Sequence, residues 1–142
     1  MKQLLFVLAL VSSMLTSYAT EGVNSPALTA GFQTSFPFAK EAKWSAAGDF
    51  FKAEFMQEGK AQTAFFTARG EWIATTRNIS SEELPKDLKN SLKEVLQHSW
   101  ITDLVVMDTE EGTSYFVQLQ NADTKIIRQS VGDKKWKSYT AQ

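Results

Sequence analysis

Residues 49–76, DFFKAEFMQEGKAQTAFFTARGEWIATT, read as three short strands joined by two tight turns. Phe51, Ala53 and Phe55 alternate with Phe50, Lys52, Glu54 and Met56, the period-2 pattern of a strand with one face turned to a core. Gly59-Lys60 is the expected hairpin turn, because a primed two-residue turn needs the positive φ that glycine supplies. That turn pairs Phe55 with Ala64, Ala53 with Phe66 and Phe51 with Ala68, so both strands put their apolar sets on one side. A second two-residue turn through Arg69, Gly70 or Glu71 would put Ile73 and Thr75 on this buried side and Trp72 and Ala74 on the other.

That other face holds Phe50, Phe65 and Trp72 among Lys52, Glu54, Met56, Thr63 and Thr67. A sheet with large aromatics on both faces is covered on both, or it binds something.

At the start of the chain, residues 1–19, MKQLLFVLALVSSMLTSYA, have a charge at Lys2, an apolar run from Leu4 to Leu15, and Ser17 and Ala19 at the spacing that signal peptidase cleaves. We read them as a secretory signal peptide. The apolar run is too short to span a bilayer, so no stable membrane insertion is expected once the leader is removed. Residues 20–25 form a polar linker, and 26–142 a single domain.

Ser25-Pro26 predicts a helix start, with serine as cap and proline where no N–H is needed. Leu28, Phe32 and Phe36 form its apolar stripe, and Pro37 ends it. Phe38, Ala39 and Ala42 make a further short turn before an edge strand near Trp44. After the meander, Ser80 with Glu83 resembles a capping box, while Pro85 suits a first helical turn; the two signals compete, placing the start between Ser81 and Pro85. Leu84, Leu88, Leu92, Val95 and Leu96 are the buried stripe of this second helix.

From Ile101 the strand grammar returns as ITDLVVMDT, SYFVQLQ and KIIRQSV, with turns at EEGT and NADT. Helix, edge strand, FFKAEF, AFFTARG and Trp72 are answered by helix, edge strand, YFVQLQ, IIRQSVG and Trp136. The chain therefore reads as two repeats, about residues 26–77 and 80–138. The expected fold is α+β: tandem helix plus antiparallel-sheet repeats in two layers, with the helices on one face of a continuous antiparallel sheet. Phe116 joins Phe50, Phe65 and Trp72 on the open face in one of the two registers that residues 121–124 permit. The same ambiguity leaves Ile126 against Ile127 undecided.

Composition closes off several classes. The 142 residues are 43% hydrophobic and 22% charged, enough for one core-forming domain. The formal net charge of −1 offers no clustered basic surface for nucleic acid. There is no cysteine, hence no disulfide, thiolate nucleophile or Cys-based zinc site, and the single histidine, His98, rules out a multi-histidine metal site within one chain.

The spacing of Phe36-Pro37, Ala39, Trp44, Ala53-Glu54-Phe55, Gly70-Glu71-Trp72, Leu84-Pro85 and Tyr115-Phe116 resembles the PepSY-like family of exported Gram-negative proteins, described as similar to β-lactamase inhibitory protein. The resemblance spans about residues 26–136 and rests on packing residues and turns. It implies a periplasmic or secreted tandem protein without known catalysis. In the inhibitor, the open sheet face grips an enzyme with aromatics, which draws attention to Phe50, Phe65 and Trp72; no loop here matches an inhibitory hairpin.

An enzyme needs a base, a nucleophile or paired carboxylates on rigid elements. His98 falls at a helix C-terminus, where an imidazolium is favoured for electrostatic reasons alone. Asp103, Asp108, Glu110 and Glu111 cluster around a hairpin tip but lack the spacing of a calcium loop. Lys134, Lys135, Trp136 and Lys137 form a short basic-aromatic tail suited to a solvated end, with anionic lipid or polysaccharide as the competing reading. The sequence thus points to a non-catalytic, cofactor-free module recognising a protein or peptide through Phe50, Lys52, Glu54, Phe65, Trp72 and Phe116. The alternative is a structural or self-associating protein that buries the same face in a homodimer.

Overall fold

The computed structural model describes residue 23 and residues 25–139, so the leader and most of the linker fall outside the described residues. The fold is α+β: eight antiparallel strands in chain order and, among the described residues, two α-helices. The chain divides into two compact units, with the division between Ala74 and Thr75. Among the described residues no helix is long and apolar enough to cross a membrane.

In the first unit α1 (Pro26–Ser35) begins with proline in its first turn, as expected. The Ser25 side chain makes no capping bond; its carbonyl instead accepts the Thr29 N–H at 3.1 Å. The helix stops at Phe36, whose φ of −133° leaves the helical region just before Pro37. Leu28 and Phe32 sit over Ala53, Phe55, Ala64 and Phe66, with Phe36, Trp44, Phe51 and Trp72 packed around them. Ala53 and Ala64 are directly paired across β2 (Phe50–Gln57) and β3 (Lys60–Phe66). These small side chains make room for the Phe32 ring, whose centroid lies 5.0 Å from that of Phe55 and 5.8 Å from that of Trp44. The edge strand β1 (Lys43–Ala47) pairs Trp44 with Ala53 and so turns the indole to the same core.

Two expected turns are corrected. The β2–β3 turn is Glu58-Gly59, with φ of 52° and 74°, and Gln57 pairs with Lys60. A primed turn with both central residues at positive φ prefers glycine second, where Gly59 stands. Phe55 therefore pairs with Gln62 and Phe51 with Phe66, a slip of two residues that leaves every side chain on its expected face. The next connection has the opposite effect. The Thr67 N–H bonds the Glu71 carbonyl at 2.9 Å, enclosing three residues that end in Gly70 at φ +81°. A three-residue loop inverts the parity expected of a two-residue one. Trp72, which opens β4 (Trp72–Asn78), consequently packs on the α1 core and not on the far face.

In the second unit the two competing helix signals are both used. Ser80 and Glu83 form a reciprocal capping box around a 3₁₀ turn, Ser81–Glu83, and Pro85 then precedes α2 (Lys86–Leu96). Glu83 also takes the Arg77 guanidinium at 2.8 Å, and Glu82 pairs with Lys89. Leu84, Leu88 and Leu92 are buried over Leu104, Val117 and Leu119, with Val95, Leu96, Ile101, Tyr115 and Trp136 around them. The supporting strands are β5 (Trp100–Thr109), β6 (Gly112–Gln120), β7 (Lys125–Val131) and β8 (Lys135–Tyr139). Asn121 Oδ1 accepts the N–H groups of Asp123 and Thr124, fixing the β6–β7 turn. Leu119 then pairs with Ile126 and Gln118 with Ile127, so Ile126 takes the helix side and Ile127 the other.

Candidate binding face

Each unit leaves one sheet face away from its helix. In the first, β2 turns Phe50, Lys52, Glu54 and Met56 to that side, because Phe51, Ala53 and Phe55 are committed to α1. Lys52 lies opposite Ser45 on one neighbour and Phe65 on the other, and Glu54 lies opposite Lys43 and Thr63. The Lys52 ammonium stands 3.6 Å from the Glu54 carboxylate, along the strand and partly in solvent. At that exposure the pair orients two polar groups more than it stabilises the fold.

The expected residues differ in what they present. Phe50, Lys52, Glu54 and Phe65 share the face, and Trp72 does not. Phe65 is 2% exposed, so it lies beneath the face and not on it. Phe50 and Lys52 are partly buried, Glu54 is exposed, and Met56 is 53% exposed, beside Ala61 across the hairpin. Sequence reasoning gave Met56 no role of its own, although its alternation with Phe55 already put it on this side.

In the second unit Phe116 faces away from α2, since its neighbour Val117 is in the helix-side core. It is 3% exposed and meets the Tyr139 ring edge-on, with centroids 5.6 Å apart. Burial raises the Tyr139 hydroxyl above its ordinary pKa. Phe116 also pairs with Val105 and Gln129, the latter 7% exposed. The Tyr139 contact had no signal in the sequence, because it depends on the β6–β7 register left open there.

The groups weighed for chemistry are dispersed. His98 lies exposed in the turn after α2. Asp108 accepts the Thr113 hydroxyl at 2.6 Å, and Glu111 donates its N–H to Thr109 Oγ1 at 3.2 Å, contacts of an ordinary hairpin tip. Among the described residues no three His, Cys, Asp or Glu side chains are placed to hold a metal ion.

No protein-family model and no curated protein matches this chain. Solved structures do match it. A DUF2874 family protein from Bacteroides ovatus superposes with a TM-score of 0.71 at 15% identity, over 80% of this chain and 86% of that one. A BLIP-like protein from Bacteroides fragilis superposes with a TM-score of 0.70 at 19% identity, over 90% of each chain. A candidate periplasmic protein from Bacteroides eggerthii gives 0.70 at 16% identity, over 87% of this chain and 89% of that one. At these identities the likeness is one of architecture, and it identifies the α+β fold of this chain as BLIP-like.

Proposed function

We propose that this protein is a non-catalytic binding module of the periplasm that recognises a protein or peptide through the helix-distal face of its first unit. The observation that carries the reading is on β2. The strand already buries Phe51, Ala53 and Phe55 on one side, yet on the other it shows Met56 at 53% exposure beside the Lys52–Glu54 pair. Exposed thioether next to a preset pair of opposite charges supplies adaptable apolar area and a means of fixing register. Phe65, buried below, supports this surface and is not itself a contact. Export is favoured by the leader sequence, and by the description of the similar B. eggerthii protein as a candidate periplasmic one. The resemblance to PepSY-like proteins belongs with this reading, as does an inhibitory role.

The test is capture from periplasmic extract with the wild-type chain and a Lys52→Glu, Met56→Asp double variant, both checked by circular dichroism. Met56 is exposed and the half-buried Lys52 carries its ammonium partly in solvent, so the variant is expected to stay folded and to lose the wild type's partner. Equal capture by both, or no capture, defeats the reading. A wild type that sediments as a dimer, and a variant that sediments as a monomer, would instead support self-association through the same residues.

A further inference from the structure

The second unit ends in an edge strand that carries two exposed lysines. Among the described residues β8 pairs with β7 alone, so every second residue directs its N–H and C=O away from the sheet. Lys135 lies opposite Val131 and Lys137 opposite Gln129, two positions apart and therefore on one face. Both are exposed, and neither has a carboxylate within ion-pair distance among the described residues. Two lysines elsewhere are compensated: Lys52 by Glu54 and Lys89 by Glu82. Between Lys135 and Lys137, Trp136 is turned inward and donates its indole N–H to the Leu88 carbonyl at 3.1 Å. That bond holds β8 against α2 and turns this aromatic away from the lysine face, while Tyr139, the other aromatic of β8, packs edge-on against Phe116. Val131, 53% exposed, adds apolar surface beside Lys135.

We propose that the free edge of β8 accepts an extended acidic peptide segment as an added strand, with carboxylates at alternate positions opposite Lys135 and Lys137. Backbone pairing would supply the docking geometry, and the two cross-strand ion pairs the selectivity. Like charge on the same edge disfavours a second copy of β8 as the occupant. The proposal stands apart from the β2 reading, since it uses a different unit and a backbone edge.

The probe is a fluorescent, end-blocked peptide of alternating Glu and Val, measured by anisotropy against the wild-type protein. Lys135→Glu, Lys137→Glu is expected to weaken binding about tenfold, as is N-methylation of alternate peptide amides. Lys86→Glu, Lys93→Glu on α2 reverses the same charge elsewhere and is expected to leave affinity unchanged. If charge reversal unfolds the protein, Lys135→Gln, Lys137→Gln is expected to show the same loss, more weakly. The proposal is overturned by no binding, by binding insensitive to the β8 lysines, or by equal binding of the N-methylated peptide. It is also overturned if phosphatidylglycerol vesicles bind through these lysines and the peptide does not.

Discussion

The two units solve one problem, seating a short helix on a four-strand meander, by different means. In the first, α1 meets the β3–β4 loop backbone to backbone. A Cβ built on Gly31 would lie 1.9 Å from the Gly70 carbonyl oxygen, and one built on Gly70 would lie 2.1 Å from that of Ala27. In the second, Ser91 stands one turn beyond Leu88, much as Gly31 stands one turn beyond Leu28, and a Cβ on Gly132 would meet nothing within 4 Å. There α2 is tied down by a side chain, the Trp136 indole bonded to the Leu88 carbonyl. Close backbone approach tolerates no added atom, whereas a side-chain tether can be weakened by degrees.

Gly70→Ala set against Gly132→Ala separates the two arrangements most widely. Both glycines have positive φ, +81° and +56°, so alanine is strained at each by about 1 kcal/mol. Only at Gly70 does the new methyl also meet backbone, which cannot rotate away, and overpacking of that kind adds about 2 to 3 kcal/mol. We expect Gly70→Ala to destabilise by about 3 to 4 kcal/mol and Gly132→Ala by about 1 kcal/mol, read as shifts in urea midpoint at constant slope. Equal losses would mean that the α1 contact gives way easily.

Trp136→Phe tests the other tether. It removes the hydrogen bond but retains most of the ring, and the Leu88 carbonyl keeps its contact with Ser91 Oγ at 3.1 Å. No buried acceptor is orphaned, so the loss should be near that of one net hydrogen bond, about 1 to 1.5 kcal/mol. A loss above about 3 kcal/mol, beyond the range of a single such bond, would show that the indole acts mainly through packing.

How much of this was legible in the sequence depends on parity. The faces of β2 and β3 were readable even with the turn misplaced, because the error was a slip of two residues and side chains alternate with period two. Trp72 was misread because one residue more in a loop inverts everything after it, and TARGEW does not announce its loop length. Both helix stripes were plain, since Leu28 with Phe32 and Leu84 with Leu88 and Leu92 follow helical spacing. The depth of Phe65 and Phe116 was not legible: alternation says which way a side chain points, and its cover comes from residues distant in sequence. The Gly31–Gly70 approach left no periodic signal either, because a missing side chain has no hydropathy to pattern.

The helices also end differently, with a smaller energetic consequence. Pro37 terminates α1, and no residue there takes positive φ. α2 ends at Gln97 with φ 40° and ψ −110°, while the Ser99 N–H bonds the Leu96 carbonyl at 2.7 Å. That is a tight turn with Gln97 at the position where a type II′ turn wants glycine. A non-glycine residue held there costs about 1 to 3 kcal/mol. Glycine would release that strain but lose about 0.4 to 1 kcal/mol through its freer unfolded chain. Gln97 is exposed, so little packing is forfeited. The strain relieved exceeds the entropy lost, and Gln97→Gly is expected to stabilise the protein by about 1 kcal/mol, seen as a higher urea midpoint. Destabilisation would instead mean that the Gln97 side chain contributes more to this corner than its exposure suggests.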